Sequence, residues 1–284
     1  MPAQILDGKK LSNEIKEGLK AEVEALKAKG VVPTIGMLLV GDDEASALYV
    51  GLKAKAATAI GGEGKTFKLP EDVTFEEIME LIDKLNNDPS IHGILVQLPL
   101  PKHLHDKEKA ILDAIIPEKD VDGFHPTSIG NLVIGDDGFV GCTAFACMKL
   151  LELTGQDLKG KHAVVVGHSI EVGKPVSMLL FAKGCVVTIV HPDDPKLTEY
   201  TKQGDILILE MAKPKFVTGD MVKPGAIVID TGSNWVDGKQ VGDADKESVE
   251  QVAGWLSPSP GGVGPMIIAM LMYNLVKAAQ QQSA

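Results

Sequence analysis

The chain has 284 residues, 44% hydrophobic and 24% charged, proportions that allow a sizeable buried core and a length that suits two domains or one large α/β unit. All 28 of its Lys-plus-Arg positions are lysine, and 39 carboxylates leave a formal charge of −11, a sign that argues against a phosphate-backbone partner, so no nucleic acid is expected. No run reaches the roughly 18 consecutive apolar residues of a bilayer span and the charged N-terminus lacks the apolar stretch of a signal peptide, so no membrane partner is expected and the compartment reads as cytoplasmic.

Residues 9–29 place Leu11, Ile15, Leu19, Val23 and Leu26 at helical spacing before Gly30, an amphipathic helix with a glycine stop. Residues 34–41 form an apolar run of strand length closed by a Gly41-Asp42-Asp43 turn. A helix over 46–59, a strand over 65–70, a helix over 75–85 and a buried strand over 92–101, ended by prolines, follow. This βαβα rhythm predicts a mostly parallel sheet. The loop-rich segment 115–141 breaks the rhythm and reads as a domain boundary. A helix over 143–154 leads into strands at 162–167, 185–191, 205–211 and 226–232, with a helix over 173–184 after the first, a Rossmann-like order. The chain closes on a Gly-rich loop and an apolar helix with Pro265 in its first turn. The fold class expected is therefore α/β, with two domains flanking a cleft.

Several side chains could carry chemistry. Tyr49 and Lys53, four apart in a helical stretch, share a face. The pair is either a half-buried tyrosine beside a surface lysine or a desolvated lysine able to move protons near neutral pH. Lys55 lies about 200° further round the helix and faces solvent. Gln97 interrupts an apolar strand at its carboxyl end, where open α/β sheets bind ligands; a buried glutamine needs partners, so it is either structurally bonded or ligand-directed. Asp120 and Asp122 sit in a loop passing near the strand ends, as functional residues often do and turn residues more often. Cys142, Cys147 and Cys185 lack paired metal-ligand spacing and read as reduced core residues, with no metal expected.

Four strings in order, VGDDEASALYVGLKAK (40–55), GILVQLPLP (93–101), KDVDGFHP (119–126) and PGGVGPM (260–266), resemble the signatures of the bifunctional methylenetetrahydrofolate dehydrogenase/methenyltetrahydrofolate cyclohydrolase family. The resemblance covers nearly the whole chain. It implies a folate-binding catalytic domain of residues 1–140 plus 266–284 and a Rossmann-like NAD(P)-binding domain of residues 141–265. It makes Lys53 the central proton-transfer group, Tyr49 the residue that stacks on the folate, Gln97 the partner of Lys53 and Asp122 the anchor of the pterin. Leu98, Pro99, Gly262 and Pro265 complete the implied substrate contacts. Thr143, Gly167, His168, Ser169, Val172, Gly173, His191, Pro192, Ala212, Gly232 and Asn234 are the implied dinucleotide contacts. Tetrahydrofolate derivatives as substrates, a homodimer and a place in one-carbon metabolism serving purine biosynthesis are further implications.

The dinucleotide side departs from that pattern. The loop GHSIEVGKP (167–175) has His168 where the family has arginine, and the absence of arginine removes every planar bidentate fork for phosphate. His191-Pro192-Asp193-Asp194 brings carboxylates to the end of the second Rossmann strand, either as an exposed acidic turn or as groups that would repel a 2′-phosphate and could accept from a free ribose 2′-OH. NADP is the expected cofactor and NAD its competitor. GCTAFA (141–146) loses the family's two prolines and glycine, Glu210 and Ala212 replace smaller residues in EMAKP (210–214), and Ile267 replaces threonine. Three readings remain: the full bifunctional enzyme, a cyclohydrolase-weighted homologue with a degraded dinucleotide site, and a non-catalytic folate- or nucleotide-binding protein.

Overall fold

Apolar, β-branched runs become strands and the amphipathic stretches between them become helices in the computed structural model, which describes residues 2–283. In chain order the first half comprises β1 (Gln4–Ile5), α1 (Gly8–Lys27), β2 (Thr34–Val40), α2 (Glu44–Ala59), β3 (Glu63–Leu69), α3 (Phe75–Asn87), β4 (Gly93–Val96), α4 (Glu108–Asp113) and α5 (Pro126–Ile134). There follow α6 (Cys142–Glu152), β5 (His162–Val166), α7 (Gly173–Ala182), β6 (Val186–Val190), α8 (Leu197–Thr201), β7 (Ile206–Leu209) and β8 (Ile227–Asp230). The remainder is β9 (Asn234–Val236), β10 (Lys239–Val241), α9 (Lys246–Val249), β11 (Trp255–Ser257) and α10 (Val263–Gln282).

The chain divides into two compact units, Asn13–Val140 with the segment from Leu271, and Gly141–Met270 with the segment up to Ser12. One boundary between the units lies at Val140/Gly141. The N-terminal segment belongs to the second unit rather than the first, because β1 pairs in parallel with β11, Gln4 opposite Trp255 and Ile5 opposite Leu256. The last boundary falls inside α10 rather than at its start.

In the first unit three parallel strands run in the order β3-β2-β4. All seven residues of β2 are buried, as a central parallel strand with both faces covered requires. Ile78, Ile82 and Leu85 of α3 join Leu38, Val40, Ile94 and Val96 in one apolar core. The Thr74 side chain accepts from the Glu77 backbone and the Glu77 side chain accepts from the Thr74 backbone, a reciprocal cap that starts α3. The strand expected to run to residue 101 stops at Val96, because Pro99 and Pro101 have no N–H for a ladder. The segment expected to be loop holds α5: His125 caps it, Pro126 opens it and Gly135, at φ 81°, ends it.

The second unit is a six-stranded sheet in the order β1-β11-β8-β7-β5-β6, with every adjacent pair parallel. The strand order reverses at β5, between β6 and β7, so the ligand crevice of this doubly wound arrangement lies outside the carboxyl ends of β5 and β7. Val164, Val166, Leu207, Leu209 and Val228 form its core. β9 and β10 make a hairpin through Asp237 and Gly238, both at positive φ (49° and 72°), which is the type I′ turn that Asp-Gly favours. α10 has the length and apolar composition of a membrane span, and most of that stretch is buried.

Candidate active site and dinucleotide loop

In the first unit α2 starts at the end of β2, where Asp43 accepts from the Ser46 N–H at 2.7 Å; this bond holds the Asp43 carboxyl below its usual range. About one and a half turns into the helix comes Tyr49, exposed, and about two and a half turns in comes Lys53, half-buried. The Lys53 Nζ donates to Gln97 Oε1 at 3.0 Å. Gln97 follows β4 and its N–H extends the ladder to Leu38 at 2.9 Å. Its Nε2 donates to the Leu98 carbonyl at 2.6 Å, so the amide oxygen is turned to the lysine. A neutral amide oxygen accepts from the lysine amine in either protonation state. Leu98 and Pro99, joined by a cis peptide bond, continue the same edge of the site.

Asp120 and Asp122 separate into different tasks. Residue 120 bridges Ile94 in parallel, so the loop runs on as a partial strand beside β4. The buried Asp120 carboxylate accepts from the N–H groups of Gly123 (3.1 Å), Phe124 (3.2 Å) and His125 (2.8 Å) and from Ser128 Oγ (2.7 Å). Burial raises its carboxyl above the usual range despite those bonds. Asp120 is thus the internal frame of the turn, and Asp122, half-buried, is the carboxylate that frame presents. Asn274 of α10 secures the same turn by donating to the Val121 carbonyl at 2.8 Å. Gly262 and Pro265 belong to the other unit, where Gly262 is closely packed: a Cβ on it would meet Ser257 Oγ at 2.0 Å.

In the second unit the implied dinucleotide residues other than Thr143 follow the carboxyl ends of β5 to β8. Gly167 leaves β5 at φ 130°, and a Cβ on Gly173 would meet the Gly167 carbonyl at 2.5 Å, so both glycines are required by the tight strand-to-helix turn. Ser169 Oγ accepts from the N–H of Val172 at 3.0 Å and of Glu171 at 3.2 Å. The buried Val172 and then Gly173 lead into α7. Thr143 lies in the first turn of α6. His168 and His191 face one another, Nε2 to Nε2 at 2.7 Å, with ring centroids 4.3 Å apart. Next to them Lys213 Nζ donates to the Pro192 carbonyl at 2.9 Å and to Asp193 at 2.7 Å. That lysine bond holds the Asp193 carboxyl below its usual range. The acidic turn is therefore ion-paired rather than bare, and the repulsion expected of Asp193 is offset by a cation the sequence order does not place beside it.

Two buried aspartates shape the rest. Asp243 accepts from the N–H groups of Met211 (2.7 Å) and Lys213 (2.9 Å) and from Asn234 Nδ2 (2.9 Å). This clamp holds Ala212 at φ 53°, a conformation that costs an L-residue about 1 kcal/mol. Asp230 accepts from Gly232, Asp243 and Ala244, and burial pushes its carboxyl up to about 6. Asn234 thus serves the clamp with its amide, and Gly232 has no room for a side chain, since a Cβ would meet Asp243 at 2.5 Å. Cys142, Cys147 and Cys185 are buried free thiols; burial pushes Cys147 up to about 12.

The residue that sequence reasoning noticed only as an oversized substitution is Glu210, just past β7. Its Oε2 accepts from the N–H groups of Ser169 (3.3 Å) and Gly173 (3.1 Å), at the N-terminus of α7. A crevice at the switch point, two space-limited glycines and N–H groups that converge on an anion fit the diphosphate of a dinucleotide.

A parallel sheet with a glycine turn at its switch point and a separate α/β unit carrying a Lys–Gln pair fit a two-domain nucleotide-linked enzyme. Residues 6–122 match the catalytic domain of tetrahydrofolate dehydrogenase/cyclohydrolase and residues 141–283 its NAD(P)-binding domain. The chain is 53% identical over 282 residues to the bifunctional protein FolD of Moorella thermoacetica, covering 99% of this chain and 100% of that one. The crystal structure of the bifunctional FolD of Campylobacter jejuni is similar with a TM-score of 0.95 at 45% identity, over 98% of this chain and 99% of that one. The Trypanosoma brucei methylenetetrahydrofolate dehydrogenase-cyclohydrolase, solved with NADP and an inhibitor, gives a TM-score of 0.93 at 35% identity, over 99% and 98%. The chain belongs to the tetrahydrofolate dehydrogenase/cyclohydrolase family.

Proposed function

We propose that the protein oxidises 5,10-methylenetetrahydrofolate to the 5,10-methenyl form with NAD(P) and hydrolyses that product to 10-formyltetrahydrofolate, with Lys53 as the proton-transfer group. The observation that carries this reading is the Lys53–Gln97 hydrogen bond of 3.0 Å, set at the carboxyl end of the sheet on the helix face that also bears Tyr49. Bound NAD(P) supplies the hydride acceptor for the first step. Tyr49 stacks on the folate and orients it, while Asp122 accepts from the donor edge of the pterin. Hydride loss leaves a methenyl carbon carrying positive charge. In the second step water adds to that carbon, Lys53 takes the proton released from the water oxygen, the bond from carbon to N5 breaks and N5 takes a proton. The net result is one formyl group formed and one proton released. Gln97 keeps the lysine nitrogen at the ring in both protonation states.

The second reading, a cyclohydrolase-weighted enzyme, is favoured by the Glu210 carboxylate in the dinucleotide loop. One assay separates the two: methenyltetrahydrofolate formation followed by absorbance, with NADP and NAD at matched concentrations, beside methenyl hydrolysis. The bifunctional reading expects turnover with at least one dinucleotide; hydrolysis without any oxidation would establish the second reading. Lys53→Met is expected to lower hydrolysis by about a hundredfold or more with folate binding retained, and unchanged hydrolysis would remove Lys53 from the mechanism.

We further propose a homodimer formed through the second unit. Support comes from β6, the edge strand of the six-stranded sheet, where Val186 and Ile189 and the nearby Phe181 of α7 are exposed, an apolar edge that self-association would cover. The buried free thiols suit a reducing compartment, and the cytoplasm is the location proposed.

A further inference from the structure

The crevice at the switch point of the six-stranded sheet is already supplied with an anion by the chain itself. Glu210 leaves the end of β7 and folds under the β5–α7 loop, where a single carboxylate oxygen accepts from Ser169 N–H and Gly173 N–H. Gly173 is the first residue of α7, so its N–H carries the positive end of the helix dipole. α7 has no acidic residue in its own first turn, and Glu210 takes that electrostatic role from another strand. The packing is close: a Cβ on Gly167 would meet Glu210 Oε2 at 2.5 Å and the Glu210 carbonyl at the same distance. Backbone donors of a strand-to-helix turn are the groups that receive a dinucleotide diphosphate in a doubly wound sheet.

We infer that Glu210 is an internal counter-anion of the dinucleotide loop, a residue that sets the affinity for NAD(P) by competing with the diphosphate for the Ser169 and Gly173 N–H groups. This rests on the assignment of the second unit as the dinucleotide-binding one. A diphosphate brings negative charge to donors that a carboxylate already satisfies, and without arginine the loop has no side-chain fork to outbid it. For the dinucleotide to dock, the carboxylate leaves its two N–H groups. The loop is thereby kept formed and its donors satisfied in the free enzyme, and the binding energy of the cofactor is reduced by the cost of that displacement.

The test is calorimetric titration of the full-length protein with NADP and, separately, NAD, for wild type, Glu210→Ala and Glu210→Gln, each variant first shown to unfold cooperatively on heating. Removing the carboxylate is expected to tighten binding of both dinucleotides by about tenfold or more, about 1.4 kcal/mol. The glutamine, whose amide oxygen still accepts from the loop without carrying charge, is expected to fall between. Affinity unchanged in both variants overturns the inference. So does weaker binding in Glu210→Ala restored by Glu210→Gln, which would show a loop brace instead of a competitor. Failure of all three proteins to bind either dinucleotide overturns the inference together with the dehydrogenase reading. Binding by the variants alone supports the inference while making wild type the cyclohydrolase-weighted enzyme.

Discussion

At Asp230 two opposing effects act on one carboxyl group. Burial favours the neutral acid and three backbone N–H groups favour the carboxylate; burial dominates and the group titrates near 6 instead of 3.8. Between those values the folded state binds the proton and the unfolded state does not, so this group's contribution to stability is complete below about 3.8 and is lost as pH rises through about 6. Comparing chemical unfolding of wild type and Asp230→Asn at several pH values isolates it. The stability advantage of wild type over the variant is expected to shrink by about 2 kcal/mol between pH 4 and pH 7. A difference that stays constant with pH would show that Asp230 is ionised throughout. The same scale explains why Glu210 was visible in the sequence only as a size mismatch. Glu210 and Ser169 are 41 positions apart, and only the parallel pairing of β5 with β7 brings their strand ends together. Lys53 and Gln97 are different: each lies in a motif with its own local signal, and the structure adds only their bond.

At the scale of elements, local chemistry specifies most boundaries. α3 begins at Thr74 because the Thr74–Glu77 capping box satisfies two N–H groups that the helix leaves without intrahelical partners. Thr74→Ala is expected to cost about 1 kcal/mol, while Thr74→Ser keeps the cap, as denaturant midpoints would show; an unchanged midpoint for the alanine variant would mean that packing of Ile78 and Ile82 alone sets the helix start. Elements were missed where the signal was short or non-local. β1 is two residues and β11 three, too few for periodicity, and each is a strand only because a neighbour supplies its ladder. α5 hid in a stretch of Gly, Asp and Pro, although His125, Pro126 and Gly135 hold its start and stop signals. The strand expected over 92–101 was cut to Gly93–Val96, since apolarity alone does not distinguish a ladder from an extended, proline-bound segment.

For the whole molecule, the dimer proposed through the edge strand β6 can be tested at its exposed apolar side chains. Val186 is 61% exposed and Phe181 68%, so Val186→Lys with Phe181→Glu is expected to convert a dimer to a monomer in sedimentation velocity, with the fold retained. A monomeric wild type at micromolar concentration would remove the dimer from the proposed function. The sequence by itself determined the α/β class, the parallel sheets and the motifs that nominate the candidate site, because strand period, glycine turns and contiguous signatures are local properties. Only the tertiary structure decided that the N-terminal strand joins the six-stranded sheet, that Lys213 neutralises Asp193, that Asp243 clamps Ala212 at positive φ and that Glu210 fills the dinucleotide loop. Each of those depends on which strand ends lie side by side, and the crossovers of a parallel sheet bring together residues that nothing in their sequence neighbourhoods connects.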